Sequence, residues 1–145
     1  MHYFVILLFL TKKKESSVTP KRLIEEASKV VGEYTLSHPD LKVAKVGAAL
    51  VTSKGNLYTG VNLELACGIG FCAEHSAIAQ MLKHRETRIE MIVALNEHAI
   101  IPPCGRCREL MFQINHENLH TKVYIDKNRF MTLRELLPNP WIPNP

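Results

Sequence analysis

Cys72-Ala73-Glu74 and Pro103-Cys104-Gly105-Arg106-Cys107 are the stretches whose joint reading decides the fold. Together they offer three thiolates, spaced so that they can close on one tetrahedral Zn2+ and leave its fourth position open. An open position marks a catalytic metal, and water held there loses a proton near neutral pH to become a nucleophile. Glu74 stands two residues from the nearest of these cysteines, within reach of that water but without a reason to bind the metal. It is read as the proton carrier, with Cys72, Cys104 and Cys107 as the metal ligands.

Two blander readings compete. A closed zinc staple needs four protein ligands, and the remaining cysteine, Cys67, lies in the run before Cys72. Such a staple would leave a carboxylate beside the metal with no task, so Cys67 is better read as a small buried residue or a free thiol. A disulfide framework is disfavoured, because a chain of 145 residues can bury its own core and these spacings read as metal-binding. Reduced cysteines fit a cytoplasmic protein.

Composition agrees with one globular unit, at 46% hydrophobic and 22% charged. The formal charge of +4, from 18 Lys and Arg against 14 Asp and Glu, includes the run Lys12-Lys13-Lys14. That excess is too mild to indicate a nucleic-acid partner, and no cluster of basic and aromatic side chains suggests a strand-binding channel. Residues 1–10, Met-His-Tyr-Phe-Val-Ile-Leu-Leu-Phe-Leu, are almost wholly apolar. The run is too short for a membrane-spanning helix, and a secretory leader would carry its charges before the apolar run. Residues 1–18 are read as an N-terminal extension, disordered or packed on the domain or on a neighbouring subunit. A single catalytic domain follows over 19–145, with no membrane partner.

Along that domain, Thr19-Pro20 reads as an N-cap with proline at the first helical position. Apolar residues at 23, 24, 27, 30 and 31 give the first helix an inward face, and it is expected to end between Gly32 and Ser37. His38-Pro39-Asp40 breaks the chain. Residues 46–51, Val-Gly-Ala-Ala-Leu-Val, read as a buried strand, Ser53-Lys54-Gly55-Asn56 as a turn, and 57–61 as the returning partner. A helix follows over 72–83, a strand over 89–95, a helix over 104–116 and a strand over 123–125. Thr132-Leu133-Arg134-Glu135 has capping-box spacing and starts a last helical turn that stops at Pro138. Both cysteine groups therefore fall at helix starts, where unpaired amides and a partial positive charge stabilise thiolates. The alternation predicts an α/β sandwich with a mixed sheet and helices packed on it.

The motifs C-A-E and P-C-G-x-C resemble those of the cytidine deaminase superfamily of zinc-dependent deaminases, and the likeness runs from about Val46 to Pro138. It implies a three-layer α/β/α sandwich with a mixed sheet of about five strands. It also implies hydrolysis of a cytosine nucleoside, cytidine or deoxycytidine, with attack at C4 of the ring and Glu74 carrying protons to N3 and to the departing amine. Small enzymes of this type are usually homotetramers with active sites completed across subunits, so a homotetramer is implied here. Asn62-Leu63-Glu64-Leu65-Ala66 resembles the N-x-E-N-A run whose Asn and Glu hydrogen-bond a ribose hydroxyl, which carries Asn62 and Glu64 over as substrate-binding residues.

The chain also departs from that pattern. An arginine usually follows C-A-E, and here the place belongs to His75. Blasticidin S deaminases instead carry an arginine between the two later cysteines, where this chain has Arg106. Three thiolates on one Zn2+ leave a net negative charge, so Arg106 is read as the compensating cation. The aromatic residue that usually packs on the base shortly before V-G-A-A is replaced by Lys42-Val43-Ala44-Lys45, and Phe71 and Trp141 are the candidate substitutes. Glu135-Leu136-Leu137-Pro138 resembles the ending shared by cytidine and blasticidin S deaminases. Two alternatives stay open at this point: a deaminase of a modified cytosine nucleoside such as blasticidin S, and a zinc-stabilised binding domain without turnover. Retention of Glu74 opposes the second.

Overall fold

The computed structural model describes residues 17–142, so the expectation for residues 1–18 lies outside the described residues except at Ser17 and Val18. In chain order the described elements are α1 (Pro20–Lys29), β1 (Tyr34–Thr35), β2 (Lys42–Thr52), β3 (Leu57–Glu64), α2 (Ala73–Lys83), β4 (Ile89–Leu95), α3 (Gly105–Ile114), β5 (Lys122–Tyr124), β6 (Phe130–Thr132) and α4 (Leu133–Leu136). Short 3-10 turns cover Ala66–Gly68 and His116–His120.

The caps form where the sequence places them. Thr19 accepts the Arg22 N–H at 3.2 Å with Pro20 at the first helical position. Thr132 and Glu135 close a capping box at α4. α1 stops at Lys29, before the expected boundary, because the Gly32 N–H is drawn to the Ala44 carbonyl at 2.8 Å and the chain turns into strand. β2 starts four residues earlier than the apolar run suggests. Lys42 and Lys45 interrupt its hydrophobic signal, while its backbone already pairs with β1 and with the end of β3.

The six strands form one mixed sheet in which β4 and β5 are parallel and every other pairing is antiparallel. β3 runs alongside β2 from one end to the other, with a bulge between Val43 and Gly47. β4 pairs with β2 from Gly47 to Thr52, and α3 carries the chain from β4 to β5. Strands β1 and β6, two and three residues long, escape a sequence reading because neither is long enough to show a period.

Both faces of the sheet are covered, which is why β2 and β4 read as continuous apolar runs. Ala48, Leu50, Ile92 and Ala94 face one way and pack against α2, α3 and α4 through Ala77, Ile78, Met81, Met111, Phe112 and Leu133. Ala49, Val51, Met91 and Val93 face the other way, against Leu23 and Ala27 of α1 and against Val18. Each fully buried Leu, Ile or Phe in these layers contributes about 1.5–3 kcal/mol. The helices approach the sheet closely at two glycines. A Cβ on Gly60 would lie 2.7 Å from the Ala73 carbonyl and from Ser76 Cβ, and one on Gly47 would lie 2.8 Å from Val30 Cγ2. Gly60 thus lets the first turn of α2 lie directly on β3, beside Asn62 and Glu64.

Candidate metal and catalytic site

Cys72 and Cys104 are the N-cap residues of α2 and α3, and neither side chain caps its own helix. Both sulfurs are therefore free to turn toward each other, 3.6 Å apart. Cys107, one helical turn beyond Cys104, brings its buried sulfur to 3.5 Å from that of Cys104. All three Sγ atoms lie within 4.8 Å of one another. A tetrahedral Zn2+ with Zn–S bonds of about 2.3 Å needs S···S spacings of roughly 3.8 Å, so this donor set fits the ion with little movement. Cys67 stands outside the cluster, exposed and at φ 59°, so the four-cysteine staple is not built.

Burial and neighbouring groups move the three thiols in different directions. Burial pushes the Cys107 thiol far up, with the charges of Glu74 and Cys72 adding to it. Burial and the Cys104 sulfur raise Cys72. At Cys104 burial again pushes upward, but the N–H groups of Cys107 and Arg106 and the two neighbouring thiols outweigh it and the net direction is down. A divalent cation held by the three sulfurs would favour the thiolate at every one of them.

Glu74 sits in the first turn of α2 with 5% of its surface exposed, and it lines the cleft above the sulfurs. Burial raises its pKa, opposed in part by its own backbone N–H and by the Cys107 thiol. The carboxyl is thereby moved toward the range in which a group can both take and return a proton.

The cleft encloses about 380 Å³, and most of its wall is apolar, including Val46, Phe71, Ala94 and Ile101. Asn62 and Glu64 line it as well, at the end of β3. Asn62 is 7% exposed, and its Oδ1 accepts the Val46 N–H at 2.8 Å, a donor released from the ladder by the bulge in β2. The carbonyl being committed, the amide NH2 is what Asn62 has left to offer the cleft. Glu64 is exposed, with one carboxylate oxygen 3.7 Å from Lys45 Nζ.

Arg106 also lines the cleft and is exposed. Its backbone N–H serves Cys104, while its guanidinium makes no hydrogen bond or ion pair among the described residues, though its charge reaches His75. Of the two candidate aromatics, Phe71 is in the cleft wall and Trp141 is not. Trp141 is 81% exposed and tied by its N–H to Glu109 at 3.2 Å. The sequence reading assigned no role to His75, yet its Nδ1 lies 3.5 Å from Cys107 Sγ. Burial first, then Arg106, lowers its pKa, so the ring is a neutral partner at neutral pH. Its place directly after C-A-E was the available signal.

The model of the cytidine and deoxycytidylate deaminase zinc-binding region matches residues 19–123. A cytidine deaminase from Halalkalibacterium halodurans is 33% identical over 100 residues, which covers 65% of this chain and 74% of that protein. A probable cytidine deaminase from Dictyostelium discoideum is 37% identical over 68 residues, 45% of this chain and 46% of that one, so the chain spans about half of its length. The crystal structure of cytidine deaminase from Burkholderia pseudomallei superposes with a TM-score of 0.69 at 29% identity, covering 86% of this chain and 100% of that one.

Proposed function

The chain belongs to the cytidine and deoxycytidylate deaminase family, and from that membership we propose that it hydrolyses the C4 amino group of a cytosine nucleoside, cytidine or deoxycytidine, releasing ammonia and the uracil nucleoside. The observation that carries this reading is the convergence of three sulfurs and one buried, pKa-raised carboxyl on a single apolar cleft. Cys72, Cys104 and Cys107 would hold Zn2+, which when bound supplies Lewis-acid activation of water at an open coordination position.

The chain's own residues do the rest. Glu74 accepts a proton at its carboxylate, delivers it to N3 of the ring, and carries the second proton to the leaving amine, so one group serves as base and then acid. Burial raises its pKa, the direction a group that takes and returns protons needs. The apolar wall, Phe71 included, takes the base and excludes bulk water from the reacting carbon. Asn62 offers a donor and Glu64 an acceptor, a pair suited to a sugar hydroxyl that needs both. A site built that way discriminates strongly against ligands lacking the hydroxyl. The guanidinium of Arg106, which has no hydrogen bond or ion pair among the described residues, offsets the negative charge of three thiolates on one divalent ion.

The same reading takes residues 19–145 as a single catalytic domain and the working unit as a cytoplasmic homotetramer. No helix among the described residues is long and apolar enough to cross a membrane. The test is ammonia release from the zinc-loaded protein with cytidine, deoxycytidine, cytosine, dCMP and blasticidin S side by side, and E74A as the blank. Turnover of cytidine or deoxycytidine that is lost in the blank is expected. Turnover of blasticidin S alone would transfer the substrate to the modified nucleosides, and silence on all five with zinc bound would refute the assignment.

A further inference from the structure

Glu135-Leu136-Leu137-Pro138 lines no part of the cleft and has no task in the chemistry above. Its surroundings give it one. Arg108, in the first turns of α3, donates its Nε–H to the Pro103 carbonyl at 2.8 Å and an Nη1–H to the Leu136 carbonyl at 3.1 Å. Neither carbonyl accepts a backbone N–H among the described residues. Leu136 ends α4, so its carbonyl is one of the unpaired acceptors of that helix's C-terminus, and the Pro103 carbonyl lies just before the N-cap of α3, outside the helical ladder. The two successive prolines Pro102 and Pro103 bring no backbone N–H to this loop.

The far end of this link is firmly set. The capping box of Thr132 and Glu135 fixes the start of α4, Leu133 is fully buried, and Leu136 and Leu137 pack on the core that also holds Ala73 and Ala77 of α2. The near end is the peptide that bears Cys104, an exposed member of the sulfur cluster.

We propose that Arg108 is a positioning residue that fastens the Cys104 peptide to α4, making Glu135-Leu136-Leu137-Pro138 the fixed support of the metal loop. The inference rests on the reading of Cys72, Cys104 and Cys107 as metal ligands. Cys104 is then the ligand whose release Arg108 restrains, and loss of the anchor speeds departure of the metal more than it loosens the fold.

The test follows zinc release from the full, zinc-loaded chain to an excess of a coloured chelator. R108Q is expected to release zinc about 10–100-fold faster, the usual scale for groups that orient a ligand. R108K, with a point charge that can meet one carbonyl but not both at once, falls between. E135A weakens α4 without touching the metal loop. It speeds release as well, and combined with R108Q it gives less than the product of the two effects, because both act through one anchor. T19A, which removes the cap of α1 on the opposite face of the sheet, is the stability control: its thermal midpoint drops while release is unchanged. In cobalt-loaded protein the sulfur-to-metal absorption band shifts in R108Q and not in T19A. Release from R108Q within twofold of the parent, or equal acceleration in T19A, would overturn the inference. So would independent effects of R108Q and E135A. An unsubstituted chain that retains no zinc at all would instead overturn the metal reading, and this inference with it.

Discussion

Asn62 is assigned two duties, and N62A should separate them. The Oδ1 of this residue is the acceptor for the Val46 N–H at 2.8 Å, and Asn62 is 7% exposed, so removing the amide strands a part-buried donor. Leaving such a donor unpaired costs about 1–3 kcal/mol. In a domain of this size each kcal/mol lowers the thermal midpoint by about 2–4 °C. Urea unfolding of N62A should therefore move to lower midpoint with its slope unchanged. N62D keeps an acceptor for Val46 and loses only the NH2 that faces the cleft. The second duty is read from kinetics. Loss of one hydrogen bond to a neutral hydroxyl removes about 0.5–1.5 kcal/mol, or roughly 2–13-fold in kcat/KM. Both variants should then discriminate less than the parent between cytidine and its 2′- or 3′-deoxy analogue. An N62A protein as stable as the parent would refute the strand-pinning argument. Unchanged discrimination among the sugars would refute the hydroxyl contact, whatever happens to stability.

Three further outcomes follow from the same geometry. E74Q keeps the three sulfurs intact, so zinc per chain should stay at the parent level while kcat falls about 10²–10⁴-fold; C104A should lose the metal itself, by elemental analysis. R106Q removes a guanidinium that has no structural partner among the described residues, so weaker zinc retention in chelator competition should come without a change in melting; unchanged retention would remove Arg106 from the site. Glu86 tests the fold away from the cleft. Burial alone would push its carboxyl up, yet the nearby Thr52 hydroxyl, the hydrogen bonds from Tyr58 and Asn56 at 2.7 Å and the charge of Lys54 outweigh it, so the net pKa is lowered. A depressed folded-state pKa means stability that is full above the unfolded carboxylate value near 4.3 and is lost as pH falls through the lower folded value. E86Q should be less stable than the parent at pH 7, and the gap should close below about pH 4 in acid titrations of unfolding; a constant gap would refute the charge-based role.

The residues that could be found in the sequence are those whose chemistry is local. Cys72, Glu74, Cys104 and Cys107 declare themselves because a helix start converts short spacing into convergence: an N-cap sulfur and one a turn later must face the same side. The helices α2 and α3 and the strand β4 were legible for a related reason, since burial on both faces or on one stripe leaves a period in the chain. What escaped depends on partners distant in sequence. Nothing near Ala44 announces that it adopts φ 63° in a bulge, yet that bulge is what frees the Val46 N–H for Asn62 and gives the side chain its orientation. His75 could be seen to replace an arginine, but its approach to Cys107 exists only because α2 and α3 pack on the same face of the sheet. Arg108 is in the sequence only the residue after Cys107, and the arrival of α4 supplies the second carbonyl that makes it an anchor. The reacting groups are thus written in motifs a few residues long. The groups that hold them in place are written in the topology, which is why variants at Asn62, His75 and Arg108 test the structural argument more severely than variants at the cysteines.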